Sequence, residues 1–430
     1  MMNEVRNLLI GFELGEKESQ ITCYDRKRKE PVSVSTRTGT NLFFFPTAVA
    51  RKNCSDEWYF GREAEYFSSR KEAALVTDLF DLLKRGDSAD VGGKVYTAEQ
   101  LLAAFFREAL KLLGVTDPVR CIAGICVTTG ELTGRLASEI RSALAALGLP
   151  PARCFVQDSL ESFYYYGYSQ KPEISVRGMA LIRFRGDTVT YQRMDEHRSR
   201  KPFTVTITEP ERLALEQDPL RRDGTFAAAV DRWTGAGGLS GIFITGDGFS
   251  QDWAKRSVRA LSARGAKVFE GGNLFVKGAC WTVLERLERH AFRGRVYLGP
   301  DIVRSSLCID LIDGSGQTVY PLIRAGVNWF ENESVCEIIP DGRKDLVVTV
   351  ISMDGTQHRN ERYLPDGLPD RPNRATRLRL AASCTGTDEA RLEVTDLGFG
   401  EWFPSSGKRW TYTVPLAFSS FKAKEGASST

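Results

Sequence analysis

Histidine, the commonest metal ligand and general base, occurs only three times in 430 residues, at His197, His290 and His358. Each stands among charged residues, as in Asp195-Glu196-His197-Arg198, with no second ligand at metal spacing, so each reads as a solvated surface group. No metal site is expected. The nine cysteines are odd in number, scattered and include no C-x-x-C pair, so that with so few histidines serine, cysteine and zinc hydrolases lose most of their usual equipment. The cysteines read as buried thiols of a reducing cytoplasm. An excess of one charge is missing too: 58 basic against 55 acidic residues leave +3, too balanced for the basic face that binds a phosphate backbone. Nucleic acid is not an expected partner. No apolar run approaches membrane-spanning length, and the apolar start Leu8 to Leu14 is broken by Glu13, so neither a membrane span nor a signal peptide is expected.

What is present suits a folded chain: 42% hydrophobic residues are enough for two or three cores. Alternation marks strands at Leu8 to Leu14, Gln20 to Tyr24, Val32 to Ser35 and Thr47 to Ala50, the first two joined by the turn 15–19. Thr97 and Gln100 form a capping-box pattern opening a helix to Leu113, ended by Gly114. A buried strand at Cys121 to Val127, a helix Glu131 to Leu147, a strand Arg153 to Val156 and a helix capped by Asp158 follow.

That order then repeats. A hairpin Met179 to Arg185 and Val189 to Met194, a strand Phe203 to Thr208, a helix Thr225 to Trp233, a strand Ile242 to Thr245, a helix Ser250 to Ala263, a strand Lys267 to Glu270 and a helix Asn273 to His290 complete it. Two α/β halves with a cleft between them are expected, strand ends and helix N-termini converging there. Beyond residue 294 the helical period gives way to short strands separated by Asp-Gly turns, the pattern of a β-sandwich. The expected domains are 1–170, 171–294, a sandwich over 295–416 and a Ser-, Lys- and Gly-rich flexible tail over 417–430.

Several motifs stand in the order of one known family. Ile10-Gly11-Phe12-Glu13-Leu14-Gly15 is similar to the I-G-I-D-L-G of a first phosphate hairpin, Phe45-Pro46-Thr47-Ala48-Val49-Ala50 to T-P-S-Y-V-A, and Tyr59-Phe60-Gly61-Arg62-Glu63-Ala64 to L-I-G-D-A-A. The stretch from Val156 to Gly167 aligns without a gap to I-N-E-P-T-A-A-A-I-A-Y-G. Ile244-Thr245-Gly246-Asp247-Gly248 stands at the V-G-G-S position and Val276-Lys277-Gly278-Ala279-Cys280 at A-Y-G-A-A. In the sandwich, Tyr320 to Gly326, Asp366-Gly367-Leu368-Pro369 and Arg391 to Asp396 resemble T-P-L-I-x-R-N, G-I-P-P and the G-I-L-N-V-x-A-x-D segment. The chain therefore resembles the actin-like ATPase superfamily, and specifically the seventy-kilodalton heat-shock (DnaK-type) chaperones. The resemblance implies a duplicated actin-like (ribonuclease H-like) α/β fold followed by a β-sandwich like the chaperone peptide-binding domain, with ATP and magnesium as ligands and a polypeptide as partner. It also implies where the cleft lies: Gly15, Gly186, Asp187, Thr188, Gly246, Asp247 and Gly248 around the nucleotide, with Glu13, Lys84 and Asp158 as catalytic candidates.

The departures fall on the phosphate-handling residues. Phosphoryl transfer needs backbone donors, metal and a positioned water. The D-L-G-T-T turn has become Glu13-Leu14-Gly15-Glu16-Lys17, without its hydroxyls. A Glu16 carboxylate about 6 Å from a phosphate charge at an effective dielectric of about 20 costs roughly 3 kcal/mol, unless Lys17 or a metal cancels it. The F-D-L-G-G-G-T hairpin has become Arg183-Phe184-Arg185-Gly186-Asp187-Thr188. There Asp187 is either a turn residue or a metal-linked carboxylate, and the two arginines either attract anions or lie on a solvated face. Asp158 is either an N-cap or a carboxylate beside an attacking water, and Lys84 either a helix-end cation or a catalytic one. Asp247 in the Gly246–Gly248 turn suits a ribose or a cation better than a phosphate. Only about 50 residues separate the second hairpin from Gly241, so much of the family's nucleotide-clamping lobe is expected to be missing, and no long helical lid is expected after the sandwich. The aromatics Trp329, Phe330, Trp402 and Phe403 are either core or the lining of a partner groove.

The expected protein is a cytoplasmic, chaperone-like, non-hydrolysing scaffold that binds a polypeptide through its sandwich. The alternatives are an active ATPase with rearranged phosphate loops using Glu13, Lys84, Asp158 and Asp187, and a small-molecule kinase of the same superfamily, against which the sandwich counts.

Overall fold

The computed structural model describes residues 7–418 except 200, 236–237, 264, 315 and 343–344. The expected tail therefore lies almost wholly outside the described residues. Two compact units result, one of 7–196 with 206–293 and one of 197–205 with 294–418. The chain as a whole is mixed α/β with several sheets, its described α-helices all lying in the first unit.

The first unit starts with strands β1 (Leu8–Glu13), β2 (Glu18–Asp25) and β3 (Glu30–Ser33), then helix α1 (Ala98–Ala109), β4 (Ile122–Thr129), α2 (Gly134–Ala146), β5 (Cys154–Asp158) and α3 (Ser159–Ser169). Its sheet runs β5-β4-β1-β2-β3, with the β1–β2 hairpin antiparallel and β4 and β5 parallel to β1. α1 begins on the expected capping box, Thr97 accepting from the Gln100 N–H and Gln100 from the Thr97 N–H. Its apolar face supplies Phe105 and Phe106 to a cluster around Phe12, whose ring lies edge-on to Phe106 at 4.8 Å.

A second sheet follows from β6 (Met179–Arg185), β7 (Thr188–His197), helix α4 (Pro219–Gly235), β8 (Gly241–Asp247), α5 (Lys255–Ser262), β9 (Lys267–Glu270) and α6 (Leu274–Leu284). Within this unit its strand order is β9-β8-β6-β7, again an antiparallel hairpin with two parallel strands beside it, and Glu211–Ala214 pairs with β7. Ala180, Ile182 and Phe184 of β6 point into a core with Phe226, Val230 and Leu261 of α4 and α5, so alternation turns Met179, Leu181 and Arg183 to the opposite face. α3 and α6 lie together on that inner side. Their backbones meet at Gly278, where a Cβ would stand 2.0 Å from the Ser162 carbonyl oxygen.

Of the excursion between 49 and 97 the sequence shows only the strand at Thr47 to Ala50 and the helix end at Lys84. The excursion holds a three-stranded sheet (Trp58–Phe60, Val49–Lys52, Ala73–Val76), helices Gly61–Ser69 and Leu79–Arg85, and a small hairpin Ser88–Asp90/Val95–Thr97. These pieces are too short to establish a period. The helix expected from Ser250 starts only at Lys255, while α6 is extended by a π-turn, Glu285–Arg289, closed by His290 at a positive φ of 50°.

In the second unit the first residues of the strand Phe203–Ile207 pair in parallel with Arg295–Tyr297. The remainder is two four-stranded antiparallel sheets, Gly316–Ile323/Ser305–Asp313/Leu346–Ser352/His358–Tyr363 and Glu333–Ile338/Arg377–Cys384/Glu389–Gly398/Arg409–Pro415. Leu307, Val348, Val350, Leu380, Leu392 and Val394 form the core between them. Leu346–Ser352 buries every second residue, as its sequence pattern predicts. His358–Tyr363 is missed because its His-Arg-Asn-Glu-Arg-Tyr sequence lies at a sheet edge and has no apolar alternation.

Candidate functional site

The polar residues of the first unit concentrate where β1, β4 and β5 end. The register places Gln20, Glu13, Thr128 and Gln157 in one row across four strands, and residues directly opposite share a face. Gln20 Nε2 donates to Glu13 Oε2 at 2.8 Å and to the Gly272 carbonyl at 2.9 Å. The Val276 N–H, in the first turn of α6, also donates to the Glu13 carboxylate. Burial nevertheless outweighs these bonds and the nearby Arg183 charge, pushing the Glu13 pKa up to about 7. At the other end of the row Gln157 Nε2 donates to Ser162 Oγ, Ser162 to Thr128 Oγ1, and Thr128 to the Asp158 carbonyl. Asp158 caps α3, its Oδ1 accepting from the Glu161 N–H at 2.6 Å.

Arg183 enters this layer from the second sheet. Its Nη2 donates to Ser159 Oγ at 2.9 Å, and its guanidinium stacks 4.6 Å from the Phe275 ring centroid. Glu13 and Asp158 both attract its charge. The expected solvated face is thereby corrected for Arg183, because this face of β6 lies against α3 and α6; Arg185, two residues on, is exposed. Buried Gln20 Oε1, Gln157 Oε1, the Thr22 and Thr129 hydroxyls and Arg183 Nε have no partner among the described residues, the kind of atoms that ordered water or a polar ligand satisfies.

The first hairpin turn is held from its carbonyl side. Thr47 Oγ1 donates to the Gly15 carbonyl and the Thr47 N–H to that of Lys17, both at 2.8 Å. Lys84 sits at the end of its helix, but its Nζ reaches Glu16 at 3.2 Å and Glu131 at 3.6 Å. Lys84, not Lys17, is thus the cation that faces Glu16.

The second hairpin gathers Gly186, Asp187, Gly246, Asp247 and Gly248 and wraps them around a guanidinium. Arg222, a buried residue of α4, pairs with Asp187 Oδ1 through Nη1. Its Nη2 donates to the carbonyls of Gly186 at 2.9 Å and Gly248 at 3.2 Å, and it stacks on Trp253 at 4.8 Å. The Gly186 N–H is directed to the Asp247 carbonyl. Gly246 and Gly248 have positive φ, and a Cβ at 248 would stand 2.4 Å from the Gly186 carbonyl oxygen, so glycine here lets one loop close on the other. Thr188 remains in the strand ladder opposite Arg185.

Sequence reasoning names Glu13, Asp158 and the second-hairpin residues but misses Gln20, Gln157 and above all Arg222. An arginine beside Arg221 and Asp223 near a helix start gives no signal of burial. In the second unit Trp329 packs against the core and donates through Nε1 to Asp301, whereas Trp402 is 90% exposed. The loop carrying it is fixed at its base by the buried Asp396, which accepts two bonds from Arg371 and others from Ser406 and the Gly398 N–H. Among the described residues no group of three or more His, Cys, Asp or Glu is placed to hold a metal ion, and no helix is long and apolar enough to cross a membrane.

A family model described as "Family of unknown function (DUF5716) C-terminal" matches residues 30–300. A second, "Domain of unknown function (DUF8552)", matches residues 302–416. No curated protein matches the chain.

Proposed function

This chain belongs to the DUF5716 family, and we propose that it is a non-hydrolysing relative of the seventy-kilodalton heat-shock chaperones, a scaffold whose β-sandwich binds a polypeptide. Support for the duplicated actin-like arrangement comes from connectivity. Each of the two larger sheets of the first unit opens with an antiparallel hairpin and continues through two parallel strands in the same order, and the helices α3 and α6 occupy corresponding places after the outermost strand.

The observation that carries the non-hydrolysing reading is Arg222. A phosphate cradle offers backbone N–H groups and flexible glycines to an anion. The second hairpin instead offers carbonyls, and these already hold a guanidinium. Asp187, the carboxylate nearest a metal role, is paired with the same side chain. Arg183 takes up space between the sheets that a triphosphate would need, and Lys84 is held by Glu16 and Glu131.

Binding is tested by thermal shift and titration calorimetry at millimolar Mg-ATP. Ligand at a hundred times its Kd stabilises a fold by about 2.7 kcal/mol, so the expected absence of any shift is a sharp result. ATP turnover that is lost on Asp158→Ala would overturn the reading in favour of an active ATPase. The polypeptide half is tested with a fluorescein-labelled extended apolar heptapeptide: anisotropy should rise with protein, and less so for Trp402→Ala.

A further inference from the structure

At the pole of the first sheet opposite Glu13 and Asp158, where β4 begins, lies a cavity of about 720 Å³, within the range that accommodates a small organic ligand. Val119, Ile122, Leu147, Leu149 and Pro150 supply its apolar wall, and Arg107, Lys111 and Arg120 its cations. Two of those cations are already matched. Arg120 Nε lies 3.1 Å from Asp117 Oδ2, and Lys111 Nζ 2.5 Å from Glu108 Oε2. Arg107 has no ion-pair partner among the described residues, so the rim carries one uncompensated positive charge beside an apolar wall.

We infer that this cavity is a binding site for a monocarboxylate with an apolar body. The charge count favours a single negative charge, because a phosphate dianion would bring a second one towards Asp117 and Glu108. The planar fork of Arg107 fits a carboxylate with two parallel bonds. The apolar wall provides the remainder of the affinity, which grows with hydrocarbon buried. Such a carboxylate is either a free organic acid or the C-terminus of a peptide ending in apolar residues, and the two share this chemistry.

Calorimetry on the full chain with hexanoate, octanoate and decanoate tests the site, since affinity should rise with chain length, by at most about fourfold for each methylene that is buried. Arg107→Gln should weaken decanoate about tenfold while leaving decanol unchanged, and Arg107→Lys should fall between them because it keeps the charge and loses the fork. Arg107 is an exposed residue of α1, so an unaltered circular dichroism spectrum accompanies these variants. N-acetyl-Leu-Leu with a free carboxylate, compared with its amide, distinguishes the sources: binding by the peptide acid alone or by the fatty acids alone supports the site and identifies its ligand. No binding by either the fatty acids or the peptide acid overturns the inference; so does, for the ligand that binds, unchanged affinity in Arg107→Gln, and, where the fatty acids bind, equal affinity for decanoate and decylamine or no dependence on chain length.

Discussion

The two hairpins that open the two sheets of the first unit are built alike and held differently. In the first, the turn after Glu13 is tied by Thr47, and its one added carboxylate, Glu16, meets Lys84 on the surface. In the second, the turn is closed from inside by Arg222, which touches both the hairpin and the loop after β8. Exposed ion pairs are nearly neutral to stability, whereas a buried guanidinium that ties two loops together and packs on a tryptophan contributes more. The first turn can therefore change its charges at small cost, whereas opening the second parts the hairpin from the loop after β8 and exposes Arg222.

Substitution can break this contrast, and the largest effect should come from Arg222→Ala. It leaves the Gly186 and Gly248 carbonyls without their donor and removes the stack on Trp253, so urea denaturation should give a loss of about 3 kcal/mol. A loss below about 1 kcal/mol would mean that the loop closes without its arginine.

Comparable in size is the pH dependence carried by Glu13. Its carboxyl holds a proton up to about pH 7 in the folded chain against an ordinary value of 4.5. The folded state therefore binds the extra proton between these values, and its stability falls as pH rises through that window and is level above it. Comparing the wild type with Glu13→Gln isolates the effect. The variant should lack this slope and gain about 3 kcal/mol relative to wild type between pH 4.5 and 8. Parallel profiles would remove Glu13 from the account.

Asp187→Asn should cost about 1 kcal/mol, since Asp187 is half exposed and its amide can still accept from Arg222. The smallest effect is that of Lys84→Met, below about 0.5 kcal/mol and abolished by 1 M salt. If Lys84→Met were as damaging as Arg222→Ala, the two hairpins would not differ in the way described.

The elements around these hairpins were legible because they are long enough to show a period: the strand patterns of 8–13 and 179–185, the capping box at Thr97 and the N-cap at Asp158 are local signals. The identity of the glycine turns was legible too, but not their use. Gly246 and Gly248 read as ligand-contacting residues, and what the sequence does not show is that their backbone lies against Phe184 and Gly186 of the second hairpin. Arg183 and Arg222 defeated a local reading for the opposite reason. An arginine is ordinarily solvated, and only the meeting of β6 with α3, or of α4 with the glycine loops, makes its burial visible. Long-range partners of this kind leave no mark in a window of sequence.

The contact of Gly278 with Ser162 has a mechanical side. Where two helix backbones touch with no side chain between them, sliding along the helix axes would drive Cβ atoms of the neighbouring residues into the opposing backbone, whereas a small twist about the contact leaves it intact. The crossing thus sets α6 against the same residue, Ser162, that bonds Gln157 and Thr128 of the polar row. Any side chain at position 278 would act as a shim, prising the sheets apart and loosening the hold of α6 on Glu13.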